Sequence, residues 1–533
     1  MSEFKILVTD PLAEEGIRLM QEANGVKVDV KPKLPQEELL KIIGDYDGLV
    51  VRSGTQVTKE VLEKATRLKV VGRAGAGLDN VDVPAASKRG IVVMNAAGGN
   101  TVSTAEHTVA MIMGLSRNIP QACASMKEGK WDRNKFMGTE LYGKTLGIIG
   151  MGKVGTEVAR RAKAFGMHLV VFDPYLTPER TRELDAEPVS ALEDLYKKCD
   201  YITVHTPLSD ETRGLIGAKQ IAMMKKGVRL INCARGGIID ETALLEAVKS
   251  GQVAGAALDV FDPEPPTNPV TQELIAQPKV IVTPHLGAST EEAQFNVAKE
   301  IAISVREFLL GQGIRNAVNI PSVDPEMYKL IEPYVKLIEK LGLMQGQVVE
   351  GHVKSAQIRY VGELVRLPLA PLTNAFVKGL LTPALPESVN YVNAAAIAKE
   401  RGISVTESKA TEAQDFANLI STVVETDKMK YEIHGTLFTR SDPRIVRMNE
   451  FYVDAVPSGA MLIIRNQDKP GMIGRMGTIL GSKNINIGWM TLGRKEPGSD
   501  ALMVFNLDQT VPPELMEEIR KIPSVLYAKQ VKL

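Results

Sequence analysis

The stretch TLGIIGMGKVGTEVARRAKAFGMHLVVFD, residues 145–173, constrains the fold more than any other. An apolar run at 145–149 reads as a buried strand. Gly150, Gly152 and Gly155 then form G-x-G-x-x-G, and a helical pattern follows over 152–165. Asp173 closes the next apolar run, 18 residues past Gly155. Strand, glycine turn, helix, strand and terminal acid together predict a βαβ unit that binds a dinucleotide. Gly150 permits the tight turn, Gly152 lets backbone approach a pyrophosphate, and Gly155 allows close helix–strand packing. Free N–H groups at the helix start face the anion. Asp173 is placed to hydrogen-bond the adenosine ribose, and its charge repels a 2′-phosphate, so NAD is favoured over NADP.

This unit sits inside two alternating series. KILVTD, VKVDV, GLVVRS, LKVVGRAG and IVVMNAAG read as buried strands within the first hundred residues, with helical patterns between them. HLVVFD, YITVHTP, GVRLINCA, GAALDVF and KVIVTPH continue the second series to about residue 286. Such alternation predicts parallel sheets covered by helices on both faces. The fold class is therefore α/β with two doubly wound lobes. A long helix over 101–118, capped by Thr101 or by a Ser103–Glu106 capping box, enters the second lobe. Another after residue 290 leaves it, and the two cross between the lobes. NAVNIPSVDPEMY reads as a linker. Mixed α+β sequence follows to about 455. The order from 459 is strand, helix, strand, strand, helix, strand, a ferredoxin-like βαββαβ unit.

A chain of 533 residues exceeds one core, so three or four domains are expected. Lys+Arg and Asp+Glu both number 64, which argues against nucleic-acid binding through bulk positive charge. The three cysteines, Cys123, Cys199 and Cys233, are widely spaced and odd in number. Neither a disulfide framework nor a metal cluster is expected from them. No apolar run approaches the ~18 residues of a membrane span, and the N-terminus has no signal-peptide pattern. A cytoplasmic protein is the expectation.

Three stretches place chemistry just past apolar strands: NCARGGIIDE, ALDVFDPEPP and TPHLGAST. In an open α/β sheet those strand ends face the ligand crevice. Arg235, Glu264 and His285 are thus expected to converge there. His285 suits the base that takes a hydroxyl proton, Glu264 the group that orients it, and Arg235 the cation for a carboxylate. Oxidation of a 2-hydroxy acid by hydride transfer needs that set.

These motifs, with VHTPLSDETRGLIG, resemble the D-isomer-specific 2-hydroxy acid dehydrogenases over roughly the first 315 residues. The resemblance implies a Rossmann NAD-binding lobe over 99–287. It also implies a discontinuous, flavodoxin-like substrate lobe, 1–98 with 288–318, and the catalytic roles just given. By resemblance, cofactor contacts fall on Ala76, Lys153, Val154, Asp173, Thr206, Cys233, Ala234, Asp259, His285, Gly287 and Ala288, beside the three motif glycines. Ala76 stands where some relatives carry Thr, so only its backbone is expected to matter. VVRSGTQV, VVGRAGAGLDNVD and MKEGKWDRNKFMGTEL are similar to long family members that act on 3-phospho-D-glycerate. Those members carry an intervening domain, here 319–455 with VNYVNA, and a terminal ACT domain, here 456–533. A tetramer is their expected assembly.

A phosphorylated substrate gives Arg52, Ser53 and Gly54 the sense of a phosphate cradle. Gly98, Gly99 and Asn100 are candidates for backbone approach to the substrate. Arg73 and the basic KWDRNK segment are further sources of charge, the latter from a neighbouring subunit. In the ACT-like unit, Asn466, Asp468 and Asn486 match ligand positions whose chemistry suits L-serine. Some relatives carry His in place of Asn466. The rival readings are a dehydrogenase for an unphosphorylated acid, such as glycerate or 2-hydroxyglutarate, and an NAD-sensing corepressor-like binding protein.

Overall fold

The computed structural model describes residues 3–176, 178–385, 389–412 and 415–533. Its first sheet holds β1 (Phe4–Val8), β2 (Val26–Val30), β3 (Gly48–Val51), β4 (Val70–Arg73) and β5 (Val92–Asn95). All pairs are parallel, in the order β2-β1-β3-β4-β5. That is the flavodoxin-like order. The strands are short apolar runs, with Leu7, Leu49, Val51, Val71 and Val93 buried on one face and Ile6, Val8, Val50, Val70 and Val92 on the other.

The second sheet holds β6 (Thr145–Ile149), β7 (His168–Phe172), β8 (Glu187–Pro188), β9 (Tyr201–Val204), β10 (Val228–Asn232), β11 (Val253–Leu258) and β12 (Val280–Val282). Its order is β12-β11-β10-β9-β6-β7-β8, again all parallel. Chain direction across the sheet reverses between β6 and β9, which is where such sheets bind ligands.

Two long helices join the lobes. The crossing helix, Thr101–Arg117, packs on the second sheet and on the helix Lys153–Ala164. The return helix, Glu291–Leu309, packs back on the first sheet. Gly72 makes this possible, because a Cβ there would lie 2.6 Å from Val305 Cγ2. The expected capping box does not form. Asn100 is the N-cap residue, so Ser103 already lies within the first helical turn. Its hydroxyl donates to the Gly287 carbonyl at 2.8 Å, and Glu106 pairs with Arg161 at 3.1 Å.

The expected linker is not free chain. Asn319 Nδ2 donates to the Ile91 carbonyl, its Oδ1 accepts from Val93 N, and Val318 N donates to the Val93 carbonyl. The segment is pinned along the edge of β5. Its last residues open the helix Pro325–Val348, which Asp324 caps by accepting from Met327 N at 3.0 Å.

That helix lies under a third, mixed sheet. Its strands are β13 (Val353–Gly362), β14 (Ser404–Ala410), β15 (Asn418–Thr426), β16 (Lys430–Leu437), β17 (Pro443–Met448) and β18 (Phe451–Ala455). The order is β14-β13-β15-β16-β17-β18, with β13 and β14 parallel and the other pairs antiparallel. The last sheet holds β19 (Ala460–Gln467), β20 (Ile487–Arg494), β21 (Asp500–Leu507) and β22 (Val525–Lys532), in the antiparallel order β20-β21-β19-β22. Alternation along β19 divides its side chains. Leu462 and Ile464 face the two helices of the unit, whereas Met461 and Ile463 join the core of the preceding sheet. Among the described residues, no helix is long and apolar enough to cross a membrane.

Candidate active site

The glycine turn has the geometry its spacing implies. Gly150 adopts φ +95°, and a Cβ there would lie 2.6 Å from the His205 carbonyl oxygen. A Cβ on Gly155 would come within 2.1 Å of the Gly150 oxygen. Gly152 is different: nothing lies within 4 Å of its Cβ direction, so it opens onto free space at the start of the helix that begins with Lys153 and Val154. The Asp173 carboxylate accepts from Met151 N at 2.7 Å and from Tyr175 N at 2.8 Å. Each oxygen keeps a lone pair for a ribose hydroxyl. Thr206 Oγ1 is buried without a partner among the described residues. Thr206 packs against Gly150, its Cγ2 3.1 Å from where a Cβ would sit, and an orphaned donor in the turn that Gly152 opens is what a bound dinucleotide would satisfy, so the residues present fit NAD.

Three loops from the ends of β10, β11 and β12 bring the chemistry together. In the first, the buried Asn232 ties the turn by accepting from Ala234 N at 3.0 Å and donating to the Arg235 carbonyl at 2.8 Å. Cys233 is buried inside this turn, and burial pushes its thiol up to about 12. Gly236 then lies against the Phe261 carbonyl, only 1.9 Å from where its Cβ would sit. That contact locks the Arg235 loop to the loop carrying Glu264.

Asp259, just past the end of β11, anchors the third loop. Its Oδ1 accepts from Leu286 N at 2.7 Å and Thr283 Oγ1 at 2.6 Å, and its Oδ2 from Gly287 N at 2.9 Å. His107, from the crossing helix, lies 3.2 Å away. Burial alone would raise this carboxyl, but these donors outweigh it and hold it below its ordinary value. His285, at φ +54°, projects from the turn so fixed. Ala288 follows, its carbonyl accepting from Gln294.

His285 Nδ1 and Glu264 Oε2 are 2.7 Å apart. The hydrogen bond that His285 donates to Glu264 raises the imidazole above its usual value, against the opposing effect of burial. Glu264 Oε1 accepts from Phe261 N at 3.1 Å, which fixes the carboxylate plane.

Arg235 reaches across to the other lobe. Its Nε donates to Asp79 Oδ2 at 3.1 Å and its Nη1 to the Ala234 carbonyl at 2.6 Å. The half-buried Arg73 lies beside it. Burial, then the charges of Arg235 and Arg52, push Arg73 down to about 10. Its Nε has no hydrogen-bond partner among the described residues. The Arg52 loop is held by Asp10, which accepts from Arg52 N at 2.6 Å and Thr55 N at 3.1 Å, with Ser53 and Gly54 exposed at its tip. Three guanidinium groups thus gather on the substrate-lobe side. Ala76 contributes a carbonyl that accepts from Asn95 Nδ2. Gly98 faces Lys153 Nζ and Glu300, and Gly99 is pressed against Val297.

The sequence offers Arg73 only as a further source of charge, and its burial beside Arg235 and Arg52, like the contacts of Asp79, Asn80, Asn232 and His107, is absent from the sequence expectations. Arg73 carried a signal, a charge at the end of an apolar strand. The others depend on partners far along the chain.

The three effector candidates do not meet within one chain. Asn466 and Asp468 lie at the Asp500 end of β21, where Asp468 pairs with Arg494 at 2.7 Å. Asn486 lies at the other end, bonded to Asp508 at 2.9 Å. Register places the two ends about 20 Å apart. The spacing of the motifs does not reveal this, because β20 runs antiparallel to β21.

The NAD-binding domain model of D-isomer specific 2-hydroxyacid dehydrogenases matches residues 109–287. The D-3-phosphoglycerate dehydrogenase intervening domain matches 330–449, and the ACT domain 460–524. A D-3-phosphoglycerate dehydrogenase of Methanocaldococcus jannaschii is 47% identical, covering 98% of this chain and 98% of its own length. One from Bacillus subtilis is 44% identical over 99% of this chain and 100% of its own length. The chain belongs to the D-3-phosphoglycerate dehydrogenase family. Its dehydrogenase lobes also resemble solved structures. A Thermus thermophilus protein aligns with TM-score 0.55 at 35% identity, over 59% of this chain and all of that one. An Aquifex aeolicus D-lactate dehydrogenase, solved with NAD and lactic acid, aligns with TM-score 0.51 at 29% identity, over 58% of this chain and 96% of that one. Membership in this family makes the chain an NAD-dependent oxidoreductase.

Proposed function

We propose that this chain oxidises 3-phospho-D-glycerate to 3-phosphohydroxypyruvate, the first step of phosphorylated L-serine synthesis. One arrangement carries the substrate assignment: Arg52, Arg73 and Arg235 gather where Asn80 holds the Arg52 carbonyl and Asp79 holds Arg235, and the charges of Arg235 and Arg52 add to burial, the larger effect, in lowering Arg73. Asp10 and Asp79 are the carboxylates that offset them. An acid with a carboxylate at one end and a phosphate at the other relieves that repulsion.

Bound NAD supplies the hydride acceptor. Arg235 holds the C1 carboxylate, and the Arg52–Gly54 loop holds the phosphate. Neutral His285 donates Nδ1–H to Glu264, which leaves Nε2 to take the C2 hydroxyl proton as C2 loses hydride. The imidazolium that results is stabilised by Glu264. An unphosphorylated acid would leave the Arg52 end unpaired. The binding-protein reading is not favoured, since relatives matching nearly the whole chain are enzymes.

The terminal unit is proposed to respond to L-serine. Asn466 and Asp468 of one copy would need Asn486 from a second copy to surround the ligand, so the proposal includes an oligomer. The test is the initial rate of NADH formation with the keto product trapped, from 3-phospho-D-glycerate and from D-glycerate, for wild type and Arg52→Ala. Selective loss of the phosphorylated substrate supports the assignment. Equal loss on both acids, or faster wild-type turnover of D-glycerate, refutes it.

A further inference from the structure

We propose that Asp79 and Asn80 form a strut that fixes the distance between the carboxylate-binding cation and the phosphate-binding loop, and so sets the length of acid accepted. The inference rests on the substrate assignment above. Asp79 and Asn80 are adjacent, in the loop after β4. They point to the two ends of the proposed substrate. Asp79 Oδ2 takes Arg235 Nε at 3.1 Å, and these residues come from opposite lobes. Asn80 Nδ2 donates to the Arg52 carbonyl at 2.5 Å and the Thr55 carbonyl at 2.6 Å.

The chemistry of each residue suits its end. A carboxamide nitrogen has two N–H donors, and both are used on the two carbonyls that bracket the Arg52–Thr55 turn. Asp10 grips the same turn from the other side through the amides of Arg52 and Thr55. Asn80 itself is buried, its own carbonyl accepting from Val57 N at 2.8 Å. Asp79 is 63% exposed at its side chain, whereas Arg235 is 26% exposed. The carboxylate therefore reaches out of its loop to steer a shielded guanidinium. With Nε held by Asp79 and Nη1 by the Ala234 carbonyl, Nη2 stands over Gly77, where a Cβ would come within 1.9 Å. Neighbouring Cα atoms are fixed about 3.8 Å apart. A shift of either end is therefore transmitted to the other.

Asp79 and Asn80 are positioning residues, and substrates of different length distinguish that role from a general structural one. Initial rates would be measured with 3-phospho-D-glycerate and with D-glycerate for wild type, Asn80→Ser and Asp79→Asn, with NAD affinity measured alongside by fluorescence. Asn80→Ser is expected to lower kcat/KM for the phosphorylated acid about tenfold more than for D-glycerate, mainly through KM. Asp79→Asn, on an exposed side chain, is expected to raise KM for both acids by a similar factor. Equal effects of Asn80→Ser on both acids, or no effect of Asp79→Asn on either KM, overturns the strut. So does misfolding of Asn80→Ser, seen as lost NAD binding, if Asp79→Asn also leaves both KM values at wild type. Wild type that does not prefer the phosphorylated acid refutes the substrate assignment itself, and the strut with it.

Discussion

His285 Nδ1 lies 2.7 Å from Glu264 Oε2, and that contact outweighs burial in raising the imidazole above its ordinary value. The base must be neutral to accept the hydroxyl proton, so the oxidation rate should fall as pH drops through the raised value. Glu264→Gln removes the charge that raises it. The acid limb of kcat/KM against pH should then move to lower pH, and the plateau should fall because the imidazolium loses its partner. A limb that stays in place would show that another group titrates there.

Arg235→Lys keeps the charge but loses the planar fork. The guanidinium holds Asp79 through Nε and the Ala234 carbonyl through Nη1, which one ammonium cannot reproduce. A fall in kcat/KM of about tenfold or more is expected, with NAD affinity unchanged. Steady-state kinetics and NAD titration check this.

Gly152 and Gly155 should respond differently to alanine. Gly152 has φ −64° and open space at its Cβ, so Gly152→Ala should keep the melting temperature and weaken NAD binding. Gly155→Ala puts a methyl 2.1 Å from the Gly150 oxygen, so it should cost about 1–3 kcal/mol of stability. Thermal melts with and without NAD separate the two.

Asp468 is joined to Arg494 and sits far from Asn486 of its own chain. Asp468→Ala and Asn486→Ala should each raise the L-serine concentration that halves the rate, relative to the serine-free rate of the same variant. A mixed oligomer of the two variants should keep some wild-type pockets. Unaltered serine response in both would remove these residues from the effector site.

The lobes and the crevice were legible because parallel strands buried on both faces appear as bare apolar runs, and polar residues just past them fall on one sheet edge. Glycine spacing carried the nucleotide turn, since Gly150 and Gly155 approach each other within that turn. What was hidden depends on long-range partners. Ser103 looks like a cap until Gly287 is seen to take its hydroxyl. Asn319 looks like linker until β5 is beside it. Asp79 and Arg235 stand 156 residues apart, and no local pattern joins them. Arg73 was visible as a charge, but its burial among Arg52 and Arg235 came only from the fold.

In the proposed reaction His285 is the base beside bound NAD. The most direct measurement is the single-turnover rate of NADH formation from 3-phospho-D-glycerate, at saturating NAD, for wild type and His285→Ala. NAD affinity of both proteins would be determined in the same preparations. If His285 is the base, that rate falls about 10²–10⁴-fold in the variant with NAD bound equally well. A variant that turns over at the wild-type rate would contradict that role.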